Sequence, residues 1–462
     1  MQVHDTLTGK TMPFTPAEAG RVTMYVCGPT VQSEPHLGHG RSAVSFDVLR
    51  RYLEWSGLDV SFVRNVTDVE DKIIARAAEL GVTTEEVAER VFGEFSRAYD
   101  LLGNLPPTIE PKATEHVPEM VALIEELIAG GHAYESSGDV YFSVRSFDGY
   151  GKLSHHDLDD LISGDRAESD GRKRDPLDFA LWKAAKPGEP QWSSPWGVGR
   201  PGWHIECSAM ATKYLGESFD IHGGGTDLIF PHHENEIAQS EAASGKPFAR
   251  YWIHNGMLNL GGEKMAKSTG RVVTLSESLE RWDPIAVRLF CLRTHYRKPL
   301  DFSEEALADA QSSLARLRAF RRRFPEFIEE SPDADIMDRF KASMDNDLDV
   351  AGALGVLFEL VRDGNSRQDR GIQAGELVAA FDEIVDVLGL ATNVADGDDK
   401  EAITQLGNRF GVEGASIDDL VALRDTARAD RDWAVSDAIR DGLAALKITI
   451  EDTPDGARWH RS

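Results

Sequence analysis

Cysteine is nearly absent from this chain, with three residues in 462. An odd number at wide spacing excludes a disulfide framework, so the cytoplasm is the expected compartment, where thiols stay free for metal or chemistry. Long apolar runs are missing too. No stretch approaches the roughly 18 apolar residues that a spanning helix needs. The first turns of sequence show no basic start followed by an apolar core, so no secretory signal and no membrane partner are expected. Basic residues are the third shortage: 50 Lys and Arg face 78 Asp and Glu, a net charge of −28. Residues 301–462 repeat the imbalance with 35 acids and 19 bases, net −16. Any polyanion must therefore be gripped by a local patch and not by the bulk field. The best such patch is RLRAFRRRF, with Arg316, Arg318, Arg321, Arg322 and Arg323. On charge alone a solvated helix face is the better reading of it.

What remains is an ordinary globular composition. Hydrophobic content of 41% and a mean hydropathy of −0.34 suit a chain of about three domains. RVTMYVCG (Arg21–Gly28) is a β-rich run ending in Gly-Pro, and GRSAVSFDVLRRYLEWSG places Val44, Val48, Leu49, Tyr52 and Leu53 on one helical stripe. Gly57 closes that helix and DVSFVRNVTD reads as the next strand, a βαβ unit and hence a parallel sheet. The pattern lapses between about Pro111 and Arg200, where short β segments and Gly/Pro/Trp-rich loops suggest an insertion. It resumes with SFDIHGGGTDLIF, the helix PHHENEIAQSEAA and the strand ARYWIHNGML. Beyond Pro284 the pattern is amphipathic and helical, apart from an acidic loop at Thr392–Glu401 and a strand at ITIEDT. The expected fold is α/β: a Rossmann-like parallel-sheet domain split by an insertion, followed by an all-α C-terminal helical bundle. The expected divisions are 1–110 and 201–260 for the two halves of the sheet domain and 111–200 for the insertion. Residues 261–310 form a junction and 311–462 the helical region.

Two motifs stand where chemistry is expected. PHLGHGR (Pro35–Arg41) lies between the first strand and helix, where open sheets bind ligands. Gly38 allows close backbone approach, the helix N-terminus offers N–H groups to phosphate, and His36 and His39 donate hydrogen bonds as charge develops. A surface turn with two solvated histidines fits as well. GGEKMAKSTGR (Gly261–Arg271) sets Lys264 and Lys267 in a glycine-bounded loop able to close over a polyphosphate. Alone, it also reads as a solvated loop. Cys27 ends the first strand, Cys207 stands in GWHIECSAM, and His232 and Glu236 are four apart in PHHENE. Zinc takes all four of these donors. Spacing alone fits two buried cysteines and a helix-start His–Glu pair better.

Together the two phosphate motifs resemble the HIGH and KMSKS signatures of class I aminoacyl-tRNA synthetases, in that chain order, with Ala266 where the family usually has Ser. YVCGPTV, RNVTDVEDKI, PKATEHVPEM, GRPGWHIECSAM, DIHGGGTDLIFPHHENEIAQSEA and RDWAVSDAIRDGLAAL extend the resemblance to the cysteinyl-tRNA synthetase family over nearly the whole chain. The resemblance implies that Cys27, Cys207, His232 and Glu236 hold one zinc ion per chain. It implies that Thr30, Thr67 and Trp203 line a cysteine pocket, with Asp227 on the substrate ammonium. His36, Gly38 and His39 would bind ATP, with Lys264 and Lys267 on its phosphates and magnesium accompanying the nucleotide. The implied reaction is activation of L-cysteine to its adenylate and transfer to the 3′ end of tRNA(Cys), by a chain expected to act as a monomer. The helical region would read the anticodon arm, with Arg316 to Arg323 near the tRNA path.

Zinc answers a problem of specificity. Serine matches cysteine closely in size, and a pocket that measures shape alone gains little from such a difference. A thiol with pKa near about 8.5 ionises on zinc, whereas a serine hydroxyl does not. Cys291 has no partner motif and reads as a buried filler. The alternative function is a ligase joining activated cysteine to a sugar amine, which would not need the C-terminal helices. A non-catalytic zinc-binding RNA module is disfavoured by the two phosphate motifs.

Overall fold

The computed structural model describes residues 1–157, 171–260, 273–324 and 328–390. It also describes the backbone of 263–264 and residues 403–404, 406–412, 416–429, 431–446, 448–453 and 456–461. Lys267 and Ala266, the side chain of Lys264 and the acidic loop at 392–401 lie outside the described residues. The chain divides into two compact units, Met1–Thr392 and Asn393–Ser462.

The first unit opens with an antiparallel hairpin, β1 (Gln2–Asp5) and β2 (Lys10–Pro13). β3 (Arg21–Val26) leads into helix α1 (Leu37–Trp55), which returns to β4 (Asp59–Arg64). The stripe read from the sequence is the buried one: Val44, Val48, Leu49, Tyr52 and Leu53 are all in the core. Each such side chain contributes about 1.5–3 kcal/mol by leaving water. The turn after α1 is made at Gly57, whose φ of 87° a side chain would strain. Helices α2 (Asp71–Leu80), α3 (Thr84–Leu101) and α4 (Val117–Ala129) follow.

Next comes a five-stranded antiparallel sheet. Its strands are β5 (Ala133–Ser136), β6 (Asp139–Phe142), β7 (Phe179–Ala184), β8 (Trp192–Ser194) and β9 (Gly197–Pro201), in the order β5-β6-β7-β9-β8. The parallel sheet then resumes through α5 (Trp203–Leu215), β10 (Phe219–Gly225), α6 (Glu234–Ser244) and β11 (Ala249–Asn255). Its order is β11-β10-β3-β4, every neighbour parallel. A parallel sheet interrupted by an inserted antiparallel one is thus the observed core, as expected.

A small sheet of β12 (Leu258–Leu260), β13 (Glu263–Lys264) and β14 (Leu300–Phe302) borders helices α7 (Leu275–Arg281) and α8 (Pro284–Leu292). Helices α9 (Glu304–Arg321), α10 (Ala334–Asp345), α11 (Val350–Asp369) and α12 (Gly375–Leu388) complete the unit. No helix among the described residues is long and apolar enough to cross a membrane.

The second unit pairs α13 (Ile417–Ala429) and α14 (Trp433–Ala445) with an antiparallel hairpin, β15 (Ile448–Thr453) and β16 (Gly456–Arg461). The C-terminal region is therefore helical with one hairpin, and not helical throughout. ITIEDT forms the strand expected of it. Its partner GARWHR was missed because only Ala457 and Trp459 mark its apolar face, and it pairs with Ile450 opposite Trp459.

Candidate functional site

β3 and β10 are adjacent and parallel, but the chain leaves β3 toward β4 and leaves β10 toward β11 on the other side. Such a reversal opens a crevice at the C-terminal ends of the two strands. Cys27 sits there, its N–H donating to the Gly223 carbonyl at 3.1 Å. The glycines of β10 are a steric requirement. A Cβ on Gly223 would lie 2.3 Å from the Phe46 ring, and one on Gly224 would lie 2.8 Å from the His233 ring.

The four expected zinc donors meet in this crevice. One donor atom each from Cys27, Cys207, His232 and Glu236 lies within 4.8 Å of all the others. Cys27 Sγ is 3.6 Å from Cys207 Sγ and 3.2 Å from Glu236 Oε1, and His232 Nε2 is 3.0 Å from the same oxygen. Tetrahedral zinc with bonds of about 2.0–2.3 Å would space its ligands by about 3.3–3.8 Å, and these three separations fall within tenths of an ångström of that range. His232 precedes α6 in an irregular turn and Glu236 lies in the helix's first turn, yet their side chains still meet at the i, i+4 spacing. His232 is backed by His204, Nδ1 to Nδ1 at 2.8 Å, the kind of support that orients a ligating imidazole.

Protons are shared unequally in this cluster. Burial opposes ionisation of Cys207, but the hydrogen bond from Cys27 and the His232 cation outweigh it and bring the thiol to about 6. Burial and the adjacent Cys207 push Cys27 up. Burial would hold His232 neutral, yet the Glu236 carboxylate and Cys207 raise it to about 10. Glu236, despite burial, is held well below the carboxylate range by His222 and His232. A thiolate and a carboxylate thus already surround one imidazolium, whose proton a metal ion would displace on binding His232.

Among the expected pocket residues, Trp203 reaches the cluster directly. The Trp203 ring stacks on His232 at 4.3 Å. Thr30 and Thr67 are bridged through their backbones, and the Thr67 hydroxyl donates to Glu206 Oε2 at 2.9 Å. Asp227 is exposed in the turn after β10, its carboxylate filling the space where a side chain on Gly225 would go. His36 and His39 stack at 3.7 Å at the start of α1, with the His36 N–H donating to His39 Nδ1 at 3.2 Å. The segment just before α1 is stitched to the residues that follow the lysine loop: Leu37 N–H to Val273 O at 3.2 Å and Leu275 N–H to Pro35 O at 2.8 Å. The residues that follow the lysine loop therefore lie against the start of α1, while Lys267 itself is outside the described residues.

Two expectations about other residues have clear outcomes. Cys291 is buried in α8 with its thiol pushed up to about 12 by burial, as a filler should be. The basic strip at Arg316–Arg323 is largely committed within the protein. Arg318 pairs with Asp283, Arg321 with Asp382 at 2.7 Å, and Arg323 with Asp369, while Arg316 lies over the Phe358 ring.

Sequence reasoning missed His222, His233, His254, His204, Glu206 and Asn65, all buried or half-buried beside the cluster. Asn65 accepts from Gly28 N–H at 2.9 Å and donates to Thr67 Oγ1 at 3.3 Å, tying the Cys27 loop to the pocket. The signal was present. His222 in FDIHGGG and His254 in YWIHN are polar residues inside otherwise apolar strands, and such residues are buried only with partners.

Residues 13–312 match the family model of the class I (C) tRNA synthetase catalytic domain, and residues 339–392 match the DALR domain. A cysteine–tRNA ligase of Alkalilimnicola ehrlichii is 50% identical over 463 residues, and one of Chromobacterium violaceum is 48% identical over 471 residues. Each covers 100% of both chains. This chain belongs to the cysteine–tRNA ligase family. Among solved structures, a Mycobacterium tuberculosis methionyl-tRNA synthetase with methionyl-adenylate is similar at a TM-score of 0.60. It covers 84% of this chain and 94% of its own, and at 17% identity it supports the fold alone.

Proposed function

We propose that the chain activates L-cysteine with ATP and transfers it to the 3′ end of tRNA(Cys). The observation that carries this reading is the convergence of two thiols, an imidazole and a carboxylate at the crevice between β3 and β10, one loop away from His36 and His39. A cysteine carboxylate oxygen attacks the α-phosphorus of ATP, and the bond to the bridging oxygen breaks to release pyrophosphate. A hydroxyl of the terminal adenosine then attacks the cysteinyl carbonyl and AMP leaves.

Each residue has a role in holding these atoms. Trp203 walls the side-chain pocket, and Thr30 and Thr67 border it. The Thr67 hydroxyl is already spent on Glu206, which fixes the rotamer it presents. Asp227 takes the substrate ammonium. Gly38 and the first N–H groups of α1 receive phosphate, while His36 and His39 donate to the oxygens on which charge grows. Lys264 and Lys267 neutralise the departing pyrophosphate. Zinc held by Cys27, Cys207, His232 and Glu236 supplies a soft acceptor for sulfur that a hydroxyl does not satisfy. ATP is accompanied by magnesium.

We further assign residues 1–110 and 201–260 to the catalytic sheet, 111–200 to the insertion, 261–310 to the junction and 311–462 to tRNA recognition, in a monomeric cytoplasmic enzyme. The end-to-end match to tRNA ligases supports tRNA as acceptor, and the sugar-amine alternative is not favoured. The test is pyrophosphate exchange followed by charging. Exchange that requires cysteine and ignores serine, with transfer to tRNA, is the expected result. Equal exchange with serine, or transfer to a sugar amine in place of tRNA, would overturn it.

A further inference from the structure

We propose that the chain holds a second metal position overlapping the first, formed by Cys27, His222, His233 and Glu236 and suited to imidazole-seeking divalent ions such as nickel. One donor atom from each of these four residues lies within 4.8 Å of the others, the same closeness as in the thiol-rich set. The proposal rests on that thiol-rich set being a metal site. It adds a donor set to which neither the family resemblance nor the sequence motifs assign metal.

Glu236 is the shared pivot. Its Oε1 faces Cys27 at 3.2 Å and His232 Nε2 at 3.0 Å, while its Oε2 faces His222 Nε2 at 2.8 Å. His233 Nε2 stands 3.9 Å from Oε1 and, although buried, has no hydrogen-bond partner. Its other nitrogen, Nδ1, is 2.8 Å from His254 Nε2, and His254 Nδ1 is 2.8 Å from Thr6 Oγ1. That chain holds the imidazole as metal-ligating histidines are held, one nitrogen tied back and the other directed at the donors. His222 is held by stacking instead, its ring on Trp252 at 4.4 Å and 14°, and its Nδ1 is buried without a hydrogen-bond partner among the described residues. The close approach of His233 requires Gly224, where any Cβ would lie 2.8 Å from the ring. A buried imidazole nitrogen left without a partner costs free energy, so its persistence in so ordered a cage points to a ligand.

Charge separates the two sets. Two thiolates and one carboxylate around a divalent ion leave one net negative charge, whereas one thiolate, one carboxylate and two neutral imidazoles leave none. In a buried site the neutral sum avoids an uncompensated charge. Soft thiolate donors favour zinc in the first position, and an imidazole-rich set favours nickel or cobalt in the second. Because Cys27 and Glu236 serve both, a single ion occupies one position or the other.

The test uses the full chain, stripped by a chelator and reloaded with one metal at a time. X-ray absorption of the nickel-loaded unaltered protein should find two imidazoles and one sulfur per ion. Two sulfurs and one imidazole would overturn the proposal. Cys207→Ser should still take one equivalent of cobalt, with affinity at most about 10-fold lower, because Cys207 is not a donor of this set. Adding His222→Gln and His233→Gln should reduce it at least about 100-fold further. A folded Cys207→Ser protein that takes no cobalt, or a triple variant that binds as tightly as the single one, would likewise overturn it. Cysteine-dependent pyrophosphate exchange by the zinc-loaded unaltered chain reports separately on the proposed function, and its absence would count against that reading alone.

Discussion

The two units bury different things. Residues 1–392 bury ionisable groups in quantity around one crevice: Cys207, His222, His232, His233, His254, Glu206 and Glu236 are all nearly inaccessible. In the second unit the described core is Ile403, Leu406, Ile417, Leu420, Val421, Ile439, Leu443 and Ile448, and the buried polar residues described there are Arg424 and Ser436. Burying charge is costly unless it is paired, so a fold does it where selection or chemistry gains from a low dielectric. A unit proposed to read RNA by surface contact would gain nothing from it. Every residue proposed for activation accordingly lies in the first unit.

The comparison breaks most visibly at Cys207. Cys207→Ser should lower cysteine-dependent pyrophosphate exchange on the order of 10³-fold and abolish discrimination against serine, because a hydroxyl is a poor replacement for a thiolate ligand. Steady-state exchange with each amino acid measures both, and normal rates with normal selectivity would remove the metal from the selection step. Lys267→Ala should lower single-turnover adenylate formation about 10²-fold while cysteine binding stays nearly intact, since its charge is needed mainly as pyrophosphate leaves.

Ending the chain at Thr392 should leave exchange within about twofold of the full chain, yet reduce charging through weaker tRNA binding. A truncated, folded protein that charges tRNA as well as the full chain would take the second unit out of RNA recognition. A spectroscopic test sharpens the contrast within the first unit. On raising the pH of the metal-stripped protein, one thiolate per chain should appear near pH 6 by ultraviolet absorbance, because Cys207 ionises at about 6 while Cys27 and Cys291 are pushed up. The step should vanish in Cys207→Ser. The smallest effect belongs to the basic strip. Arg322 is exposed, and its replacement by Ala should weaken tRNA binding only severalfold and flatten the salt dependence by about one counterion. Arg321→Ala should instead lower the melting temperature, because it breaks the tie to Asp382.

Local patterns in the chain were enough for several features. The helical stripe from Val44 to Leu53, the strand before Cys27 and the glycine closing the first helix are set by period and by φ, which are properties of neighbouring residues. The hairpin at the end was half legible, since Ile448 to Thr453 carries a β pattern while Gly456 to Arg461 pairs by backbone hydrogen bonds that any sequence can make. The donor set was legible only as four residues of the right kind. Cys27 and Cys207 are 180 positions apart, and nothing local places their sulfurs 3.6 Å from each other.

That distance is decided by the sheet. Because β10 returns beside β3 after the insertion, it carries His222 and the glycines to the end of the strand that delivers Cys27, while α5 and α6 bring Cys207 and Glu236 over the same crevice. The kinds of side chain proposed as donors were written in the chain. Their convergence, the orphaned nitrogen of His233 and the shared position of Glu236 between two donor sets arise only from packing, because each depends on a long-range strand pairing and on glycines whose missing side chains let the rings approach.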